Sequence, residues 1–280
     1  MKEVSGKNMK KHFLIITATL FLFACNNTKP AANETTENKD TASIIETEFT
    51  VPFAGFWISE TYYNLLQSTR STRIAQQKSN GSFIVIASKS TQTINMIYNN
   101  HEGGPNMVIV KNGKNYEFWG EEKTKKYHDI HIISENKLKI GDMSFIKLSN
   151  DTEFSNESAD ALIGGILFKS TYTAENNETV TFGANGKITG LYSSAYDADK
   201  NVTILHEFSY GFPIIDYYGE ALDIDQIVLE VDRIKDIYQR FGYKFDNDTL
   251  LLYDLKCVEY EEKRCVRVNY GELQYKLVKQ

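Results

Sequence analysis

This 280-residue chain is poor in proline (four), cysteine (three) and tryptophan (two), and it carries no excess of positive charge. Few prolines beside 17 tyrosines and 16 phenylalanines favour β structure, because aromatic side chains suit a pleated, half-buried surface. Net charge is −6. Residues 1–24 hold four lysines and one glutamate, so from Cys25 onward 27 basic residues face 36 acidic ones, a balance of −9. That deficit argues against nucleic acid, since phosphate-backbone binding needs a basic face to displace counterions. Other missing features narrow the field. There is no P-loop, no dinucleotide fingerprint and no Gly-x-Ser-x-Gly turn, and the carboxylates are scattered rather than paired. Nothing beyond residue 24 is long and apolar enough to span a bilayer as a helix. The sequence therefore asks for no enzyme, no cofactor and no metal.

What is present suffices for a core: 41% of residues are hydrophobic and 12% aromatic. The length allows one large or two modest domains. Residues 1–24 follow an export layout, with Lys10-Lys11, an apolar run over 13–24 and a small residue before Cys25. Met9 is itself a good start. The run is near a dozen residues, short of the ~20 that a spanning helix needs. Residues 25–50, mostly Asn, Thr, Glu, Lys and Ala, lack the apolar surface to offset ordering entropy and read as a flexible tether.

Leu22-Phe23-Ala24-Cys25 resembles the lipobox of bacterial lipoproteins. The resemblance implies that Cys25 is acylated (palmitate included) and becomes the new N-terminus. The chain would then be anchored to a membrane of the cell envelope, the outer membrane foremost, facing the periplasm or the cell surface. Its implied partner is the lipid bilayer, with a small ligand or an envelope protein beside it.

The stretch Gly55-Phe56-Trp57-Ile58-Ser59-Glu60-Thr61-Tyr62 has a looser copy in Gly165-Ile166-Leu167-Phe168-Lys169-Ser170-Thr171-Tyr172. Each opens a segment that closes on a similar phrase, Phe145-Ile146-Lys147-Leu148 and Gln274-Tyr275-Lys276-Leu277. This internal repeat predicts two tandem antiparallel meander or barrel domains, 51–149 and 162–280, joined by a linker over 150–161. In the first domain Ser59 is placed to cap a short helix over 60–67, which the Ser-Thr-Arg-Ser-Thr-Arg run at 68–73 should break. Strands are expected at 83–88, 93–98, 107–111, 116–120, 128–133, 137–140 and 144–148, parted by Gly- and Asn-rich turns. The second domain should carry strands at 178–182, 187–192, 201–210, 226–231, 236–245, 250–260, 264–269 and 273–278. Gly55-x-Trp57 followed by a short-hairpin meander resembles the lipocalin-like (calycin) families. The resemblance implies mainly β barrels in which Trp57 plugs one end.

Cys257 and Cys265 lie symmetrically about Glu261 between apolar alternations, as facing residues of a hairpin would. Facing strand residues are within disulfide range, and an exported protein is oxidised, so a structural bridge is expected. Asp197-x-Asp199-x-Asn201 imitates the start of a calcium loop but lacks the glycine at position six and the glutamate at twelve, and reads as a turn. Asp223-Ile224-Asp225 and Asp246-x-Asp248 read as turns too. His128 and His131 are three apart on a strand and so point to opposite faces; His101 and His206 are isolated. Trp57 with Tyr62 and Tyr63, and Tyr217 with Tyr218, are the aromatic groups that could bind sugar rings or an apolar ligand, or could be strand packing. Two functions stay open: a membrane-anchored binding module for a small apolar or glycan ligand, and a structural or assembly lipoprotein with no small-molecule site.

Overall fold

The computed structural model describes residues 48–79, 82–98, 102–152, 156–197, 201–212, 224–232 and 237–280. The signal-like segment, Cys25, most of the tether, His101, Asp199, Asp223, Tyr217 and Tyr218 lie outside the described residues. Thr47–Gln280 form one compact unit.

That unit is mainly β. Strand β1 (Gly55–Ser59) runs into helices α1 (Glu60–Thr69) and α2 (Thr72–Lys78). Then follow β2 (Ser82–Ile86), β3 (Ile94–Tyr98), β4 (Glu102–Asn112), β5 (Asn115–Gly120), β6 (Lys126–Ser134), β7 (Lys137–Ile140) and β8 (Met143–Ser149). Each pairs antiparallel with the next, and β8 returns to β1, so the eight strands close a barrel. Closure removes the exposed edges that a meander would otherwise leave.

The alternation along each strand shows which face is which. Trp57, Ile84, Ile86, Ile109, Phe118, Ile130, Leu138, Ile140 and Phe145 fill the barrel interior, each almost wholly buried. The segment before β1 folds back so that Val51 and Phe53 join this core, and the Phe53 ring meets Tyr116 edge-on at 5.1 Å. The opposite faces of β1 and β2 present Phe56, Ile58 and Phe83, which belong to a second core. Every residue of β1 is therefore buried.

The second core belongs mostly to the other sheet. Helix α3 (Asn156–Phe168) leads into β9 (Ser170–Ala174), β10 (Thr179–Phe182) and β11 (Ile188–Thr189). A separate hairpin follows, β12 (Tyr192–Asp197) with β13 (Val202–Glu207). Then come β14 (Tyr210–Gly211), β15 (Gln226–Asp232), β16 (Ile237–Asp246), β17 (Thr249–Glu261) and β18 (Arg264–Lys279). The order β11-β10-β9-β18-β17-β16-β15-β14 makes an eight-stranded half-barrel. Its outer strands meet at one bridge, Lys187 to Tyr210, supported by Ile188 N–H donating to the Ser209 carbonyl. Leaving aside the β12–β13 hairpin, the half-barrel repeats the plan of the barrel: an eight-stranded meander whose first strand pairs with its last.

Phe168, at the end of α3, fills this sheet. Its ring stacks on Phe212 at 5.5 Å and meets Tyr243 edge-on at 4.9 Å. Tyr62 and Leu66 of α1 enter the same core, so the helical excursion of the barrel helps to fill the half-barrel.

The mainly β, tandem-barrel architecture agrees with the sequence expectation and with a calycin-like fold. Several local readings need correction. The two octapeptides do not occupy equivalent places: the first runs from strand β1 into helix α1, the second from helix α3 into strand β9. The strand that corresponds to β1 is β9, about five residues past the aligned glycine. The closing phrases do correspond, since β8 pairs with β1 as β18 pairs with β9. The expected linker contains the first part of α3. The Ser-Thr-Arg run ends α1 but also starts α2, with the Ser71 hydroxyl accepting from Ile74 N–H. Ser59 stands at the N-cap of α1 without a capping side-chain bond. The strands expected at 187–192 and 201–210 each divide in two, and those at 264–269 and 273–278 are one strand, β18.

Candidate functional site

Trp57 is fully buried inside the barrel, and its Nε1–H donates to the Phe53 carbonyl at 3.0 Å. The Lys147 ammonium, from its register partner on β8, lies 5.1 Å from the ring centroid. The indole is thus held on one edge by a hydrogen bond and covered on one face by a cation. Tyr62 is equally closed to solvent but sits in the other core, since the chain turns at Ser59 and carries α1 over the half-barrel. Tyr63 is half-buried and accepts from Gln67 Nε2. Trp57 and Tyr62 therefore face different interiors and do not converge.

A buried acidic network joins the barrel's helical excursion to the half-barrel. Asp225, just before β15, accepts from Ser71 Oγ at 2.6 Å, Thr72 Oγ1 at 3.1 Å and Arg73 N–H at 2.9 Å. Thr72 N–H in turn donates to the Tyr243 hydroxyl at 3.3 Å. The carboxylate lies against the first turn of α2, where unpaired backbone donors favour negative charge. Burial, reinforced by the Asp225 carboxylate, holds the Tyr62 and Tyr243 phenols above their ordinary range. Asp225 has the sequence setting of a turn residue, but its partners lie more than 150 positions away.

On the barrel's outer wall, Glu117 lies just beneath the surface and accepts from Trp119 Nε1 at 2.7 Å and Lys126 Nζ at 3.0 Å. Those two bonds, the tryptophan's first, hold its carboxyl below the usual range. Asp129 pairs with the same lysine at 2.7 Å. On β6 the intervening Ile130 lies in the core, His128 is half-buried and His131 is exposed. Among the described residues no group of three or more His, Cys, Asp or Glu side chains could hold a metal.

Cys257 and Cys265 are bridged, with Cα atoms 5.8 Å apart. They are not directly opposed: Cys257 faces Val268 and Cys265 faces Tyr260, because register shifts displace the strands around Glu259. β16 stops pairing with β17 at Tyr253, so the distal β17–β18 hairpin leaves the sheet as a two-stranded arm. Such ribbons are marginal alone, and the bridge contributes about 2–3 kcal/mol in the chain-entropy picture. The arm exposes Val258 and Tyr260, the latter by 66%.

A polar cleft of about 180 Å³ opens where the ends of α1 and α3 meet the half-barrel. Gln67, Arg70, Lys169, Tyr172, Asp248 and Lys279 line it. Arg70 caps α1 in the left-handed region (φ 50°), its guanidinium 5.0 Å from the Phe245 centroid and bonded to the Asn247 carbonyl. Its other nitrogen is 3.8 Å from Asp248.

No protein-family model, no curated protein and no solved structure matches the chain.

Proposed function

We propose that this chain is a lipid-tethered, non-catalytic module of the cell envelope that works through its outer surface in binding or assembly. The lipobox-like sequence ending at Cys25 supports the tether. The observation that carries the surface reading is that both interiors hold large side chains of the chain itself: Trp57, Phe118 and Phe145 in one, Phe168, Phe182, Phe212 and Phe241 in the other, all buried to within 1%. Interiors occupied by large, fully buried aromatic side chains favour a packed core over a ligand cavity. Trp57 and Tyr62, two of the five aromatics that the sequence offers for a small apolar or glycan ligand, are buried in those cores, Tyr63 is half-buried, and Tyr217 and Tyr218 lie outside the described residues. The disulfide-stapled arm turns Tyr260 and Val258 to solvent, and an amphipathic tyrosine there suits contact with a partner.

Native mass spectrometry of the protein released from its own membrane tests both parts. The expected mass is that of the chain from Cys25 plus acyl groups, with no stoichiometric apolar or glycan companion. An unmodified N-terminus would remove the tether. A retained apolar or glycan ligand would restore the small-molecule reading.

A further inference from the structure

We infer that the cleft between the ends of α1 and α3 is a binding site for a phosphorylated ligand, independent of the envelope reading. Arg70, Lys169 and Lys279 bring three cations to the cleft and Asp248 brings one carboxylate. Arg70 and Lys169 each stand just past a helix C-terminus, where the carbonyl ends carry roughly half a negative charge per helix. Three positive charges against Asp248 and two helix ends leave about one positive charge uncompensated. This occurs in a chain whose net charge is −6. Burial holds the Tyr172 phenol up at about 12, and its hydroxyl is committed to the Phe168 carbonyl, so it supplies no balancing anion.

The three cations differ in how they are held. Arg70 is fixed: Phe245 lies under its guanidinium and the Asn247 carbonyl takes one nitrogen. A non-glycine residue at positive φ in a helix cap is kept at a cost, which this fixed side chain offsets. Lys169 and Lys279 are exposed and have no ion pair among the described residues. Lys279 is brought there by the sheet, as the register partner of Tyr172, whose side chain points inward. One rigid planar cation flanked by two adjustable ammonium groups suits a phosphate oxyanion. The space exceeds a bare phosphate and admits the first carbons of an ester. Both a soluble phosphate monoester and a phospholipid headgroup offer this chemistry.

The full chain in neutral detergent is titrated by calorimetry with glycerol 3-phosphate, and separately with short-chain phosphatidylglycerol against short-chain phosphatidylcholine. Saturable binding that weakens with salt is expected for at least one anionic probe. The K169Q/K279Q double variant should lower that affinity roughly tenfold, and D248N should raise it about threefold. Neither should shift the melting temperature, since the lysines are exposed and Asp248 touches Arg70 only at long range. Response to glycerol 3-phosphate assigns a soluble ester; response to phosphatidylglycerol alone assigns a lipid headgroup. No saturable binding of either, or equal affinity in the double variant, overturns the site.

Discussion

At the scale of single residues, tyrosine does two jobs in this molecule, and its hydroxyl decides which. Tyr260 stands in solvent, whereas Tyr62, Tyr172 and Tyr243 bury both ring and hydroxyl. Burial disfavours the phenolate. It pushes Tyr172 and Tyr270 up to about 12, and Tyr62, Tyr243 and Tyr275 also above their ordinary range. In the unfolded chain these phenols titrate near 10. Below that pH both states keep their protons and stability is unaffected. Above it the unfolded state releases protons first, so stability falls as pH climbs from about 10 towards 12. The urea midpoint should therefore hold up to about pH 10 and then drop steeply, with the phenolate absorbance of the buried tyrosines appearing only together with loss of β circular dichroism. Phenolate forming fully while the fold persists would contradict the burial. Gly55 has a similarly local reason: at φ 135° its missing Cβ would stand 2.4 Å from the Ser149 carbonyl oxygen, where β1 closes against β8.

At the scale of elements, α3 is the part whose composition and position disagree most. A Gly-Gly pair interrupts it at 164–165, and glycine inside a helix is about 1 kcal/mol worse than alanine. Yet a Cβ at Gly164 would meet Phe212 Cγ at 2.3 Å. Gly164→Ala should therefore destabilise the protein by about 1–3 kcal/mol despite the better helix former, because the aromatic stack on Phe168 must move. A urea midpoint at or above the parent's would show that the ring gives way freely. The same element marks where the sequence stops being readable. Strands β2 to β8 were legible because alternating side chains and glycine turns are local signals. Helix α3 was not, because its apolar run, Ala161-Leu162-Ile163-Gly164-Gly165-Ile166-Leu167-Phe168, has no periodicity that separates a buried helix from a buried strand. The disulfide was legible as a pair but not as a register, since bulges carry no clear sequence mark. The cleft was invisible, its cations coming from positions 70, 169 and 279.

For the whole molecule the question is whether tandem sheets mean independent domains. The barrel has a core of its own, but Phe56, Ile58, Tyr62, Leu66 and Phe83 from the first half lie in the core of the second. Asp225 adds a polar weld, tying residues 71–73 to β15 through three hydrogen bonds. Shared burial of this kind predicts that the two sheets unfold as one cooperative unit. Asp225→Ala leaves two hydroxyls and one backbone N–H without their acceptor, at a cost of about 2–4 kcal/mol. Asp225→Asn keeps one acceptor oxygen and should lose less. The two tryptophans, Trp57 and Trp119, both belong to the barrel, whereas Asp225 belongs to the half-barrel. Tryptophan fluorescence therefore follows one sheet and far-ultraviolet dichroism follows both. If the unit unfolds as one, Asp225→Ala lowers the urea midpoint equally by either probe. If the halves are separate bodies, the fluorescence midpoint stays where it was while dichroism splits into two steps.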